Sequence, residues 1–374
     1  MQPSPPSEDL VDTQVIELPT AEMKLSLPVG PPSPTEPPEP PLPVEEPAPR
    51  GRRARKVILI TLMVIALLGG SGLLAAGLYV RSVERGIERF DAFTEVPEET
   101  RPIKVVEAAD AMNFLILGSD TRDPGNTEGS RSDTIILGHI ARGRSSAQLI
   151  SIPRDTWVYV PQTKAGRGGR DAKINASFTF GGIPLAIQTV ERFTGVRIDH
   201  VVTIDFAGFQ QIVDAIGGID INVDLTFTSI HKPYRTFTKG KMHMDGATAL
   251  DFSRQRQQFT DGDFARIRHQ QEVIKAILNQ GVSGGLLTNP GRLNSFLQAT
   301  ANSVSADDTL PIIDMAMDLR HLRAENLTFL TSPTKGLGQV GTESVVFPDM
   351  SGVRSLYQAV RRDDVPAILR FAKP

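Results

Sequence analysis

Arginine and aspartate recur side by side through the middle of the chain. Asp120 and Arg122 follow the apolar run NFLILGS, Arg131 and Asp133 open the next strand in SRSDT, and Arg154 and Asp155 close the third in SIPRD. Ligands of α/β proteins collect at strand ends, so three such placements in succession form a candidate site. The segment 261–281, DGDFARIRHQQEVIKAILNQG, adds to it. At about 100° per residue, Phe264, Ile267, Ile274, Ile277 and Leu278 make a buried stripe. Asp263, Arg266 and Gln270 fall on or beside that stripe, whereas Arg268, Glu272 and Lys275 point away. A buried charge is costly unless it is paired or liganded. The helix should therefore present Asp263, Arg266 and Gln270 to a polar pocket, the alternative being a purely structural ion pair. Just upstream, Arg254 and Arg256 in DFSRQR alternate as a strand would, which would turn both to one side.

Brought together, Arg131, Arg154, Arg254, Arg256 and Arg266 would repel one another. A pair about 6 Å apart costs roughly 3 kcal/mol at an effective dielectric near 20. Acidic neighbours or a bound polyanion must compensate, and the planar guanidinium fork matches phosphate oxygens two at a time. Asp120 and Asp133 supply paired carboxylates suited to a magnesium ion bridging phosphates. Other chemistries are absent. With no cysteine in 374 residues there is no disulfide, thiol nucleophile or thiolate metal site. No phosphate loop of the G-x-x-x-x-G-K-[ST] type, no H-E-x-x-H and no G-x-S-x-G elbow following a strand pattern occurs. A net charge of -3 gives no overall pull toward nucleic acid.

The elements that would position these residues alternate between strand and helix patterns. Strands are expected at 113–118, 133–140 and 148–153, the last two joined by the turn ARGRSS. Helical spacing follows at 183–195 with a glycine stop, then strand 200–205, helix 206–218 ending in Gly-Gly, and strand 219–223. A helix near 312–322, a strand at 326–332 and a helix near 353–361 complete the pattern. This is the signature of an α/β domain with helices covering a mixed sheet.

The N-terminal part is of another kind. Residues 1–49 are rich in proline and acid and too poor in large apolar side chains to bury a core, so a disordered, locally polyproline II tail is expected. RGRRARK then precedes an uncharged apolar run, Val57–Val80. Twenty-four helical residues would reach about 36 Å, enough to cross a hydrocarbon layer of about 30 Å with some tilt. The cationic cluster on the N-terminal side keeps that end in the cytoplasm and places the rest outside. The expected organisation is a tail over 1–56, a membrane helix over 57–80, a stalk and linker over 81–109, and the α/β domain over 110–374 with its motif core at 110–280.

LILGSDTR (115–122), RSDTIILGHI (131–140), LISIPRDTWV (149–158), AKINASFTFGG (172–182), FAGFQQIVDAIGGIDINV (206–223), MDGATALDFSRQR (244–256) and DGDFARIRHQQEVIKAIL (261–278) together resemble the LytR–CpsA–Psr family of cell-envelope proteins. The resemblance implies an α/β sandwich whose apolar groove holds a lipid tail. It implies a phosphotransferase that moves an anionic glycopolymer from a polyprenyl diphosphate carrier to peptidoglycan through a phosphodiester. Asp120 and Asp133 would bind magnesium, or alternatively manganese. Arg131, Arg154, Arg254, Arg256 and Arg266 would clamp the diphosphate, with Arg122, Lys173 and Gln270 as further substrate contacts. Asp263 would orient the clamp or act as general base. Two positions depart from the family pattern, His269 where arginine is usual and Phe252 where tyrosine is common, and both bear on carrier or acceptor preference. The rival readings are a polyprenyl-pyrophosphate pyrophosphatase or phosphodiesterase that uses water, and a non-catalytic lipid- or polysaccharide-binding sensor.

Overall fold

The computed structural model describes residues 81–119, 132–283, 289–319, 322 and 324–372. The tail, the apolar run 57–80, and the candidate residues Asp120, Arg122 and Arg131 lie outside the described residues. No helix among the described residues is long and apolar enough to cross a membrane.

Seven strands form one mixed sheet. They are β1 (Glu88–Phe90), β2 (Met112–Ser119), β3 (Ser132–Ile140), β4 (Ala147–Ser151), β7 (His200–Asp205), β12 (Val304–Asp307) and β13 (Leu327–Thr331), in the spatial order β1-β12-β7-β2-β3-β4-β13. The β2–β3–β4 meander is antiparallel, while β7 joins β2 and β13 joins β4 in parallel. The expected turn at 141–146 connects β3 to β4, with Arg144 at positive φ.

Period-two geometry sorts the apolar strand residues onto two faces. Leu115, Leu117, Ile135, Leu137 and Ile150 point to one face. The helical residues 81–86 (α1) precede β1; the apolar strand residues of this face pack beneath α2 (Ala176–Thr194) and the C-terminal helix Met350–Arg361, which contribute Phe178, Ile187, Val190, Leu356 and Tyr357. α2 breaks at Gly181 and Gly182, so its regular part begins near the expected position 183, and it ends in left-handed Gly195 as expected. Phe114, Ile116, Ile136 and Leu149 take the opposite face.

A second lobe stands over that opposite face. It contains α3 (Phe206–Ala215), α4 (Gly246–Arg254) and α5 (Asp263–Ser283), together with the antiparallel pairs β8 (Ile219–Val223) with β11 (Gly240–Met244) and β9 (Phe227–Thr228) with β10 (Thr236–Phe237). Val213, Ile219, Ile221, Phe227, Phe237, Phe252 and Val273 form its core. Gly246 lets α4 approach α3 closely: a Cβ there would lie 2.3 Å from the carbonyl oxygen of Gln210. α5 is tied to the sheet by Gln271, whose Nε2 donates to Ser151 Oγ and to the Leu330 carbonyl, each at 3.1 Å. Two further hairpins flank the sheet, β5 (Trp157–Val160) with β6 (Arg170–Lys173) and β14 (Thr334–Val340) with β15 (Glu343–Pro348).

Three expectations need correction. Residues 81–109 are not a stalk: after helical residues 81–86, β1 pairs with β12 at the sheet edge, and Ala92 and Val96 enter the main core. Arg254 and Arg256 do not sit on a strand. Arg254 is the last residue of α4, capped through Asp245, and the chain becomes extended only at Gln255. Finally, helix Pro290–Ala301 and β12 fall where no element was expected, and β12 inserts between β1 and β7.

Candidate functional site

The face of the sheet that α2 does not cover and the lobe that stands over it enclose a groove of about 450 Å³. Ile116, Ile136 and Leu149 form its floor, and Phe209, Val273, Ile274 and Ile277 its roof. Four arginines meet at this groove, Arg154, Arg254, Arg256 and Arg266, together with Asp133 and Gln270. These are six of the expected site residues.

Arg154 holds the central place because its turn is pinned from several sides. Its carbonyl accepts from Asn175 N at 3.1 Å, the Asp155 carbonyl accepts from Val346 N at 2.8 Å, and the Thr156 carbonyl accepts from Ile174 N at 2.8 Å. The Arg154 guanidinium donates from Nη1 to Asp133 Oδ1, and its Nε lies 3.7 Å from Asp155 Oδ2 and 3.7 Å from Asp263 Oδ1. Burial works against its charge, but Asp133, Asp155 and Asp263 outweigh it, so the Arg154 pKa is raised.

Asp263 and Arg266 begin α5 and are both buried, as the helical spacing requires. Arg266 Nη2 is 2.7 Å from Asp263 Oδ1. Burial raises the Asp263 pKa despite Arg266 and Arg154, and burial lowers that of Arg266 despite Asp263. Arg154 Nε, Arg266 Nε and Asp263 Oδ2 are buried and find no hydrogen-bond partner among the described residues. Arg254 lies exposed at the rim with its guanidinium 4.9 Å over the Phe206 ring, and Arg256 is half-buried.

Lys173 is not in the groove. It lies in an adjoining polar cleft of about 560 Å³, with Asp155, Trp157, Arg170, Asn175, Phe180 and Glu343. Its Nζ is 3.5 Å from Asp155 Oδ1 and 3.7 Å from Glu343 Oε2. Arg154 and Arg256 line both cavities, so the apolar groove and the polar cleft meet at these two side chains. Trp157, Asn175 and Glu343 were not singled out in the sequence. Trp157 sits just past LISIPRD and could have been found there; Glu343 belongs to a hairpin remote in sequence and could not.

The two departures from the family pattern are neighbours in space. His269 and Phe252 have ring centroids 4.3 Å apart, in a cluster with Phe227 and Phe259 behind the clamp. His269 is 3% exposed, neither ring nitrogen finds an aligned partner among the described residues, and burial lowers its pKa to about 4. Neither residue lines the groove.

For a magnesium ion the described residues offer Asp133, half-buried at the groove, with one oxygen already on Arg154. No group of three or more histidine or carboxylate side chains that could hold a metal occurs among the described residues. That donor set does not form a protein cage. It fits an ion that keeps several waters and leans on one or two carboxylates plus phosphate oxygens.

An apolar groove that ends in arginines with unsatisfied buried donors is built for an amphiphile with an anionic head. The chain belongs to the LytR–CpsA–Psr family, whose family model matches residues 81–361. It is 32% identical over 259 residues to the polyisoprenyl-teichoic acid–peptidoglycan teichoic acid transferase TagU of Bacillus cereus, covering 68% of this chain and 81% of that one. The TagU of Enterococcus faecalis is 36% identical over 195 residues, 52% of this chain and 61% of that one. Among solved structures, Bacillus subtilis TagV superposes with a TM-score of 0.56 at 25% identity, covering 71% and 99% of the two chains. The LytR-Csp2A-Psr enzyme of Actinomyces oris gives 0.56 at 22% identity, over 73% and 95%.

Proposed function

We propose that this chain is a phosphotransferase that moves an anionic glycopolymer from a polyprenyl diphosphate carrier to peptidoglycan, forming a phosphodiester. The observation that carries this reading is the junction of the apolar groove and the polar cleft at Arg154 and Arg256. One ligand that spans it must be apolar at one end, anionic in the middle and hydrophilic beyond, which is the order of parts in a lipid-diphosphate-linked glycan.

The prenyl chain lies along Ile116, Ile136, Leu149, Ile274 and Ile277. The diphosphate lies across Arg154, Arg254, Arg256 and Arg266, whose guanidinium groups line the end of the groove. The glycan extends into the cleft with Lys173. A sugar hydroxyl of the wall attacks the glycan-side phosphorus; its oxygen forms the new P–O bond as the bond to the bridging oxygen breaks. The electron pair stays on that oxygen, which leaves as prenyl phosphate. Fixed guanidinium charge is favoured where negative charge grows, and positioning supplies most of the remaining rate. Asp263 holds Arg154 and Arg266 in place. As a carboxylate of raised pKa it is also the group suited to take the hydroxyl proton. By the family resemblance, Asp133 and Asp120 would hold magnesium or manganese and Arg131 would join the clamp. Such an ion would neutralise phosphate charge.

The apolar run 57–80 and the cationic cluster before it support a single-pass anchor with a cytoplasmic N-terminus and this domain outside. The test uses the purified full chain, a prenyl-diphosphate-linked glycan and a peptidoglycan acceptor. Release of prenyl phosphate should require the acceptor and vanish in Arg154→Ala. Release at the same rate without acceptor would identify a pyrophosphatase, and retained turnover in a folded Arg154→Ala would exclude the clamp.

A further inference from the structure

The segment 225–244 contains no aspartate or glutamate, but it has Lys232, Lys239, Lys241, Arg235, His231 and His243. It also carries three large apolar side chains in water, Leu225, Ile230 and Tyr234. Ordinary packing does not explain these. The β9–β10 hairpin buries Phe227 and Phe237, stacked 5.0 Å apart, in the lobe core and turns its other side outward. The loop between the two strands is braced. Ser229 Oγ donates to Asp251 Oδ1 at 2.7 Å, Gln255 Nε2 donates to Ser229 Oγ at 2.9 Å, and Arg235 Nη1 is 3.5 Å from Asp251 Oδ2. The exposed side chains are thus carried on a fixed platform. Ile230 and His231 also line the groove, so this platform is the groove's lip.

We infer that this lip docks on the surface of an anionic bilayer, with Tyr234, Ile230 and Leu225 in the headgroup zone and Lys232 and Lys239 toward lipid phosphates. The inference rests on the proposed lipid carrier, because a prenyl diphosphate reaches the groove from the bilayer surface and must cross the groove's rim. The mixture of side chains favours a bilayer over a soluble polyanion. A polyanion asks only for cations, whereas aromatic and aliphatic side chains set among lysines are the composition of a membrane-interface element.

Because the chain has no native cysteine, a single probe site is clean. Full-length chain carrying an environment-sensitive fluorophore at Tyr234→Cys is placed in nanodiscs of phosphatidylcholine with or without phosphatidylglycerol. A reference probe sits at Leu337→Cys, an exposed position of β14. In phosphatidylglycerol discs the Tyr234 probe should lose quenching by iodide, shift to the blue and gain quenching by acyl-chain spin labels; the Leu337 probe should stay aqueous. Equal iodide access at both sites would overturn the inference. So would shielding of the Tyr234 probe by poly(glycerol phosphate) in detergent without a bilayer. If the labelled variant does not fold, the unlabelled pair Lys232→Glu and Lys239→Glu decides: any gain in donor turnover from phosphatidylglycerol should be lost in it, and an undiminished gain overturns the inference. Donor turnover in the same discs separates the two readings. Turnover with an iodide-accessible lip removes this inference alone, whereas a shielded lip without turnover supports it and removes the proposed transferase.

Discussion

His269 makes a prediction about acid stability with a definite size. Its ring is closed in by Phe252, Phe259 and Phe227, and burial is the main reason its pKa falls from 6.5 to about 4, with the Asp224 carboxylate offsetting part of the effect. The folded protein therefore refuses a proton that the unfolded chain takes up near 6.5. Below that pH the unfolded state binds more protons than the folded one, so stability falls as pH drops from 6.5 toward 4 and is fully present above 6.5. The gap corresponds to about 3 kcal/mol. Urea unfolding of the wild type and His269→Gln at intervals across this window isolates the effect, because the carboxylates that also titrate there are common to both. The wild type should lose about 3 kcal/mol more than the variant. Parallel curves would refute the reasoning and mean that His269 has a partner or is reached by solvent. A fixed charge at the same place should cost a similar amount at neutral pH, so His269→Arg should lower the melting temperature by roughly 10 °C. Adding Phe252→Tyr, which sets a hydroxyl beside the new guanidinium, should recover part of that loss.

Other perturbations probe the frame and the groove. Gly246→Ala drives a Cβ into the Gln210 carbonyl and should destabilise the protein by about 1–3 kcal/mol in a thermal melt. Ile277→Asp places a carboxylate on the apolar roof of the groove; the KM for a long-chain prenyl donor should rise about tenfold or more while a donor with a truncated chain is less affected, since each buried methylene contributes about 0.8 kcal/mol. Chelation of divalent ions should abolish turnover, with magnesium restoring it, and Asp133→Asn should lose that rescue while still folding.

The charged helix was legible because its signal is local. In 261–281 the spacing alone places Asp263 and Arg266 on the buried side, and both are buried in the fold. The apolar runs of β2, β3 and β4 were equally plain, since strands covered on both faces read as continuous hydrophobic stretches. Arg254 and Arg256 show the limit. Two arginines one residue apart look like a strand, but Asp245 caps a helix that runs to Arg254, and the extended residue Gln255 is what brings both side chains to the groove. Lys173 was drawn toward the clamp by its motif, whereas the β5–β6 hairpin carries it into the neighbouring cleft. β1 and β12 are short and of mixed polarity and so carry little periodicity; the edge strand β1 takes its identity from β12, more than two hundred residues away, and β12 takes its own from lying between β1 and β7.

In the proposed clamp, Arg154 and Arg266 would divide the work unequally. Arg154 is served by three carboxylates, which hold its charge securely before any ligand arrives. Arg266 is more deeply placed and relies on Asp263, which Arg154 shares; burial and the neighbouring Arg154 weaken its hold on a proton. A phosphate brought between them would therefore gain more from Arg266 than from Arg154, because the interaction there relieves a desolvation penalty already built into the fold. Arg154, fixed by its backbone and by Asp133, would then set where the phosphorus sits. In that reading the cluster would hold two roles: Arg154, pinned by its backbone and by Asp133, would define position, and Arg266, buried beside Asp263, would gain more from a bound polyanion.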